Sequence, residues 1–235
     1  MATDRNKLVL PEGSQKIFEE VVPLVLEFVP PEELLLGGGT ALATRWQHRD
    51  SFDIDLFTSQ ATFTAAIYDQ CARFEARVEE LPLSRIVTVG TEGCTVYCEH
   101  GRVEVVACPP QTKRSRSRDR TSDPVIALET NLEILAKKLH RRILAHGKII
   151  PRDLYDMAVA RRLEPETMEE AWSAGQVRDP AVLFAALSSF SPGWMERHEE
   201  PVVNARYPEL RDNAVQDMLE DVRSRVRRPI VPTRR

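Results

Sequence analysis

An α/β first half leading into a helical second half is the architecture that this 235-residue sequence predicts. Three stretches carry that expectation. Leu34 to Phe57 reads as an apolar strand, a glycine turn, a helix and a second strand. Arg85 to Cys108 alternates apolar and polar residues with the period of two that strands require. Beyond Pro124 the period becomes helical, with Leu128, Leu132, Leu135, Leu139 and Ile143 in one apolar stripe.

In chain order, residues 12–29 predict a helix with Ile17, Val21, Val22 and Leu24 to Leu26 on or near its apolar face. Pro23 perturbs it and Pro30-Pro31 ends it. Leu34-Leu35-Leu36 then runs into Gly37-Gly38-Gly39-Thr40, where backbone without Cβ can approach a phosphate closely. Thr40 serves as the expected N-cap of a helix from Ala41 to Gln47. In the following strand Asp53 and Asp55 are i and i+2, so both carboxylates point the same way. Thr62 to Glu80 predicts a helix through Phe63, Ile67, Cys71, Phe74 and Val78, closed by Pro82. Strands follow over Ile86–Val89, Cys94–Cys98 and Val103–Val106, the last two joined by a turn at His100-Gly101. Polar, basic residues 110–123 are expected as a loop or linker, and Pro124 as the start of a helical region. Gly147 is the expected C-cap of the leucine-striped helix, and Pro151 opens the next. Further helices are expected near 165–174, 180–188 and 206–224, with breaks from Ser188 to Gly193 and around Pro201. The expected division is 1–122 for the α/β core and 123–235 for the helical domain.

Apolar content of 42% and charged content of 29% are ordinary for a globular domain. No apolar run approaches the roughly 20 residues that span a bilayer. Residues 1–15 lack a basic segment followed by an apolar one, so a cytoplasmic location is expected. Cys94, Cys98 and Cys108, with His100 nearby, invite a zinc reading. They lie in strand-like segments, however, and small apolar filling explains them better. A net charge of −4 argues against a surface that coats nucleic acid uniformly. Two basic runs stand out: Lys113, Arg114, Arg116, Arg118 and Arg120, and the C-terminal Arg223, Arg225, Arg227, Arg228, Arg234 and Arg235. Each is either a solvated segment or a binder of phosphate backbone.

Two like charges on one strand face need a cation between them. Mg²⁺ (or Mn²⁺) takes hard oxygens from one or two carboxylates plus substrate phosphates. A glycine cradle followed by such a pair points to metal-dependent chemistry on a nucleotide. Arg49 can grip phosphate bidentately, and Ser51 can contact it or shape the turn; His48 reads as structural. Glu104 is an acid inside an apolar strand. Asp153 and Asp156 are i and i+3 at a helix start, where carboxylates also offset the helix dipole. Lys137 and Lys138 are equivalent on physical grounds.

The string Gly38, Gly39, Thr40, Ala41, Leu42, then His48, Arg49, Ser51, Asp53, Ile54, Asp55, Leu56 and Phe57 resembles the AbiEii/AbiGii-type toxin family. That family belongs to the polymerase-β-like nucleotidyltransferases and includes the MenT toxins. Leu135 to His140 followed by Arg152-Asp153-Leu154-Tyr155-Asp156 resembles its lysine-bearing helix and R-D-x-Y-D helix. The resemblance is carried by residues 34–57 and 132–158. It implies a mixed sheet flanked by helices, Asp53 and Asp55 as catalytic metal ligands with Glu104 as the candidate third, and triphosphate contacts from Gly38, Gly39, Thr40, Arg49 and Ser51. It separates Lys138 from Lys137 as a contact to triphosphate or leaving group, with Asp153 as a site acid and Asp156 as an additional one. The implied activity is nucleotide transfer from an NTP to an RNA acceptor, tRNA 3′ ends foremost. The implied setting is a toxin–antitoxin or phage-defence pair with a cognate antitoxin. The competing readings are an NTP-binding regulatory module without turnover, and transfer to a protein or small molecule.

Overall fold

The computed structural model describes residues 7–82, 84–99, 101–175 and 180–226. The chain forms two compact units, divided between Ile134 and Leu135. In the first unit β1 (Lys7–Leu8), α1 (Glu12–Leu26), β2 (Leu35–Leu36), α2 (Gly38–Trp46) and β3 (Ile54–Thr58) come first. They are followed by α3 (Gln60–Phe63), α4 (Cys71–Glu79), β4 (Ser84–Gly90), β5 (Gly93–Cys98), β6 (Gly101–Ala107), β7 (Arg116–Thr121) and β8 (Ala127–Glu129). The strands make one eight-stranded sheet in the order β1-β7-β8-β2-β3-β6-β5-β4. It is mixed: β1/β7, β2/β8 and β3/β6 are parallel, and the remaining neighbours are antiparallel.

Period-two alternation assigns the two faces at the centre of this sheet. Ile54, Leu56 and Thr58 of β3 and Val103, Val105 and Ala107 of β6 are buried on one side. Ile17, Phe18, Val21, Val22 and Val25 of α1 are also buried, and α1 packs on β3 and β6. Burying an aliphatic or aromatic side chain contributes about 1.5–3 kcal/mol, so this layer fixes the register. Asp53, Asp55 and Phe57 of the β3 segment and Arg102, Glu104 and Val106 of β6 are left on the opposite face.

In the second unit π-helical turns, Lys137–Ala145, follow α5 (Asn131–Ala136). Then come α6 (Pro151–Leu163), α7 (Pro165–Ala174), α8 (Pro180–Ser188), α9 (Trp194–Arg197) and α10 (Pro208–Val226). Helix α10 packs on α6 and α8, and Leu154, Tyr155, Met157 and Val159 of α6 are buried. Trp172 Nε1 donates to Asp221 at 2.8 Å, and Arg225 lies over the same indole, 4.4 Å from its centroid. No helix among the described residues is long and apolar enough to cross a membrane.

Several local expectations give way. Residues 116–121 form strand β7 rather than a linker: the backbone pairs with β1 and β8 while Arg116 and Arg118 stay exposed. Pro124 does not open a helix, and Leu128 lies in β8, because residues 127–129 add to the sheet beside β2. The helix begins at Asn131, where the Thr130 hydroxyl accepts the Glu133 N–H at 3.2 Å. The expected helix at 62–80 is split near Asp69 by π-helical turns, Thr64–Tyr68. His100, half of the expected turn, lies outside the described residues, as do Arg227, Arg228, Arg234 and Arg235. All four cysteines are free thiols, and burial pushes Cys94 up to about 12.

His140 makes the second unit sensitive to acid. Its Nε2 donates to the Ala171 carbonyl at 2.7 Å, and its ring lies where a Cβ on Gly175 would overlap it. Burial lowers its pKa below the ordinary 6.5, against the opposing pull of the Ala171 hydrogen bond. The unfolded chain therefore takes up this proton at a higher pH than the folded one. His140 leaves stability intact above about 6.5 and subtracts from it progressively below. Melting between pH 7.5 and 5.5 should fall further in the native protein than in His140→Gln, whose amide can keep the bond to Ala171. An equal fall in both would remove His140 from this role.

Candidate active site

Three consecutive glycines each admit a charged side chain. A Cβ on Gly37 would overlap the Glu129 carboxylate, one on Gly38 the Asp55 carboxylate, and one on Gly39 the Arg49 guanidinium. Gly38 also has a φ of +62°, a conformation that a residue with Cβ adopts at a cost. Helix α2 starts here, capped by Gly37, so its first N–H groups have no acceptor within the helix and carry the positive end of its dipole.

Thr40 is thus inside the helix, not its N-cap. Its hydroxyl donates to the Asp53 carbonyl and shares a 2.7 Å hydrogen bond with Ser51 Oγ. With the Gly37 N–H donating to the Asp55 carbonyl at 2.9 Å, this ties the glycine turn to the acid strand. Arg45 braces the far side. Its guanidinium reaches Asp119 at 2.9 Å, Asn131 Oδ1 at 2.7 Å and the Glu129 carbonyl at 2.8 Å.

On the half-buried sheet face the parallel register sets Asp55 beside Glu104, and Asp53, just before the strand, comes near Arg102. Arg102 Nε lies 2.7 Å from Glu104 Oε1, and its NH2 3.8 Å from Asp53 Oδ2. The Asp55 carboxylate has no hydrogen-bond or ion-pair partner among the described residues. Asp53 and Asp55 are hard oxygen donors on one face, which fits a small divalent cation. No group of three or more His, Cys, Asp or Glu among the described residues is gathered for a metal. A cation here would rest on two carboxylates and complete its shell with substrate oxygens.

Lys138, Asp153 and Asp156 lie in the second unit and form a cluster of their own. Lys138 Nζ pairs with Asp153 and, at 3.1 Å, with Asp156; Arg142 NH1 reaches both Asp153 oxygens at 3.1 Å. Both carboxylates are fully buried and Lys138 nearly so. Burial pushes the Asp153 carboxyl up, but the charges of Lys138 and Arg142 outweigh it and hold the group below the ordinary carboxylate value. Spacing explains the convergence: i and i+3 on α6 share a side, so one ammonium meets both acids.

The structure thus gathers Gly38, Gly39, Thr40, Arg49, Ser51, Asp53, Asp55 and Glu104 in the first unit, and Lys138, Asp153 and Asp156 in the second. Sequence reading missed three participants. Arg102 was legible, since it sits two residues from Glu104 on one strand. Arg142 lies one turn from Lys138, but its pairing with Asp153 depends on a second helix. Glu129 was hidden, because its place beside Gly37 depends on the pairing of β2 with β8. His48 is fully buried and meets Trp46 edge-on at 5.4 Å, as a structural residue would.

A family model described as "Nucleotidyl transferase AbiEii toxin, Type IV TA system" matches residues 28–232. Among solved structures, a candidate nucleotidyltransferase from Helicobacter pylori is 12% identical, covering 92% of this chain and 98% of that one, with a TM-score of 0.49. JHP933 from the same organism is 13% identical over 92% and 96%, at 0.47. The STING-associated CdnE c-di-GMP synthase from Capnocytophaga granulosa is 9% identical over 91% and 79%, at 0.32. No curated protein matches the chain.

Proposed function

The chain belongs to the AbiEii nucleotidyltransferase toxin family, and from that premise we propose that it transfers a nucleotide from an NTP to an RNA acceptor with Mg²⁺ or Mn²⁺. The acceptor we favour is the 3′ end of tRNA, in the cytoplasm, with a cognate antitoxin restraining the toxin. The observation that carries this reading is the Asp55 carboxylate seated against Gly38 at the start of α2, on the same sheet face as Asp53.

Asp53 and Asp55 would hold the divalent cation, which when bound supplies charge stabilisation at the phosphoryl oxygens and lowers the pKa of a coordinated hydroxyl. The N–H groups of Gly38, Gly39 and Thr40 meet the triphosphate, since a helix start favours negative charge. Arg49, against Gly39, adds a bidentate donor to that cradle. Ser51 acts through Thr40, holding the acid strand to the cradle rather than gripping phosphate itself. Lys138, fixed by Asp153 and Asp156, is assigned to the triphosphate or leaving group.

With Mg²⁺, α-labelled NTPs and bulk tRNA, label should enter RNA, and Asp55→Ala should lower the rate by about 10³-fold or more. Tight NTP binding with no transfer to total RNA, protein or small-molecule acceptors would instead support a nucleotide sensor.

The basic stretch gives a separate check on the acceptor. Arg116 donates to the Glu32 carbonyl and Arg120 to the Ser117 carbonyl, so both also hold backbone. Lys113, Arg114 and Arg118 are exposed. Changing these three to Gln should weaken RNA binding and flatten its salt dependence while NTP affinity stays constant. An unchanged salt slope would reduce the stretch to a solvated strand.

A further inference from the structure

Four side chains share the acid face: Asp55 stands beside Glu104 in the strand register, and Asp53 comes near Arg102. Three are negative and one is positive. Arg102 and Glu104 are i and i+2 on β6, so the pleat alone sets them on one side, and their 2.7 Å approach needs no loop to order first. Arg102 also reaches 3.8 Å from Asp53. The guanidinium thus stands between the third carboxylate and one of the first two.

We propose that Arg102 takes the place of a second metal: it holds Glu104 as an ion pair, and the face accepts one divalent cation, on Asp53 and Asp55. One dication and one guanidinium match three carboxylates. Two dications beside the guanidinium would not, and they would repel it across a few ångströms. Glu104 is then the positioning partner of Arg102 rather than a metal ligand. Asp55, with no partner among the described residues, remains open to the cation. The inference rests on the transferase reading in one respect, that Asp53 and Asp55 take a divalent cation at all.

Removing the guanidinium should release Glu104 to complete a second site next to Asp55. Mn²⁺ binding to the full chain, followed by electron paramagnetic resonance without nucleotide, counts the sites directly. One Mn²⁺ is expected in the native protein, two in Arg102→Met, and one again in Arg102→Met/Glu104→Gln. Arg102→Gln serves as a second variant, and each is required to melt as the native protein does. Two ions in the native protein, or a single ion in both Arg102 variants, would overturn the proposal while leaving Asp53 and Asp55 as ligands. No ion in the native protein would overturn the cation reading of the aspartates, and this proposal with it.

Discussion

Gly38→Ala should cripple nucleotide transfer, though less completely than Asp55→Ala does. A Cβ at this position would occupy the space of the Asp55 carboxylate, and the backbone there has a φ of +62°. Alanine in the left-handed region costs roughly 1–2 kcal/mol. Relief of the overlap must move Asp55 off the acid face or displace the start of α2. Either change separates the carboxylate from the cradle. The fold should survive, because α2 is also held by Arg45 and by the buried Leu42 and Trp46. The expected result is a protein with near-native melting and transfer reduced by about 10²-fold or more, since misplacement by about an ångström is enough. Native transfer by Gly38→Ala would mean that the close approach of Gly38 and Asp55 has no part in the chemistry. Gly37→Ala is a useful companion, since it displaces Glu129 and leaves Asp55 in place.

Lys138→Met should unfold the second unit before its effect on catalysis can be read. The substitution strips an ammonium from two fully buried carboxylates and leaves Asp156 without the partner 3.1 Å away. Breaking a buried ion pair from one side costs about 3–5 kcal/mol, because the remaining charge is uncompensated. Arg142 still neutralises part of Asp153, whereas Asp156 loses the Lys138 ammonium. Adding Asp156→Asn should therefore recover a large share of the lost stability. Thermal melts of the single and double variants check this. A Lys138→Met protein that is inactive yet melts normally would show that the cluster does not hold the unit together, and that Lys138 serves substrate alone.

The parts of the site built on short-range periodicity were open to a sequence reader. Asp53 and Asp55 share a face because the strand period is two, and Asp153 and Asp156 share a side because they are i and i+3 on a helix. What could not be seen depends on pairing between distant segments. Glu129 reaches Gly37 only because β8 lies parallel to β2, and β7 looks like a linker until β1 and β8 supply its hydrogen bonds. Thr40 misled for a related reason. A threonine before an apolar run signals an N-cap, but here three glycines start the helix earlier and the hydroxyl turns to Ser51 and Asp53. Lys137 and Lys138 could not be told apart along their helix, because the two acids that Lys138 meets lie on another element.

The most direct test of nucleotide transfer at the acid face follows the two ends of the triphosphate separately. The protein would be incubated with tRNA, Mg²⁺ and an NTP labelled on either the α or the γ phosphorus. Attack by an acceptor hydroxyl on the α phosphorus forms the new phosphodiester and releases the β and γ phosphates as pyrophosphate. The α label should therefore appear on RNA and the γ label in pyrophosphate, in equal amounts, with both lost in Asp55→Ala. A γ label on the acceptor, or RNA labelling that persists without Asp55, would contradict it.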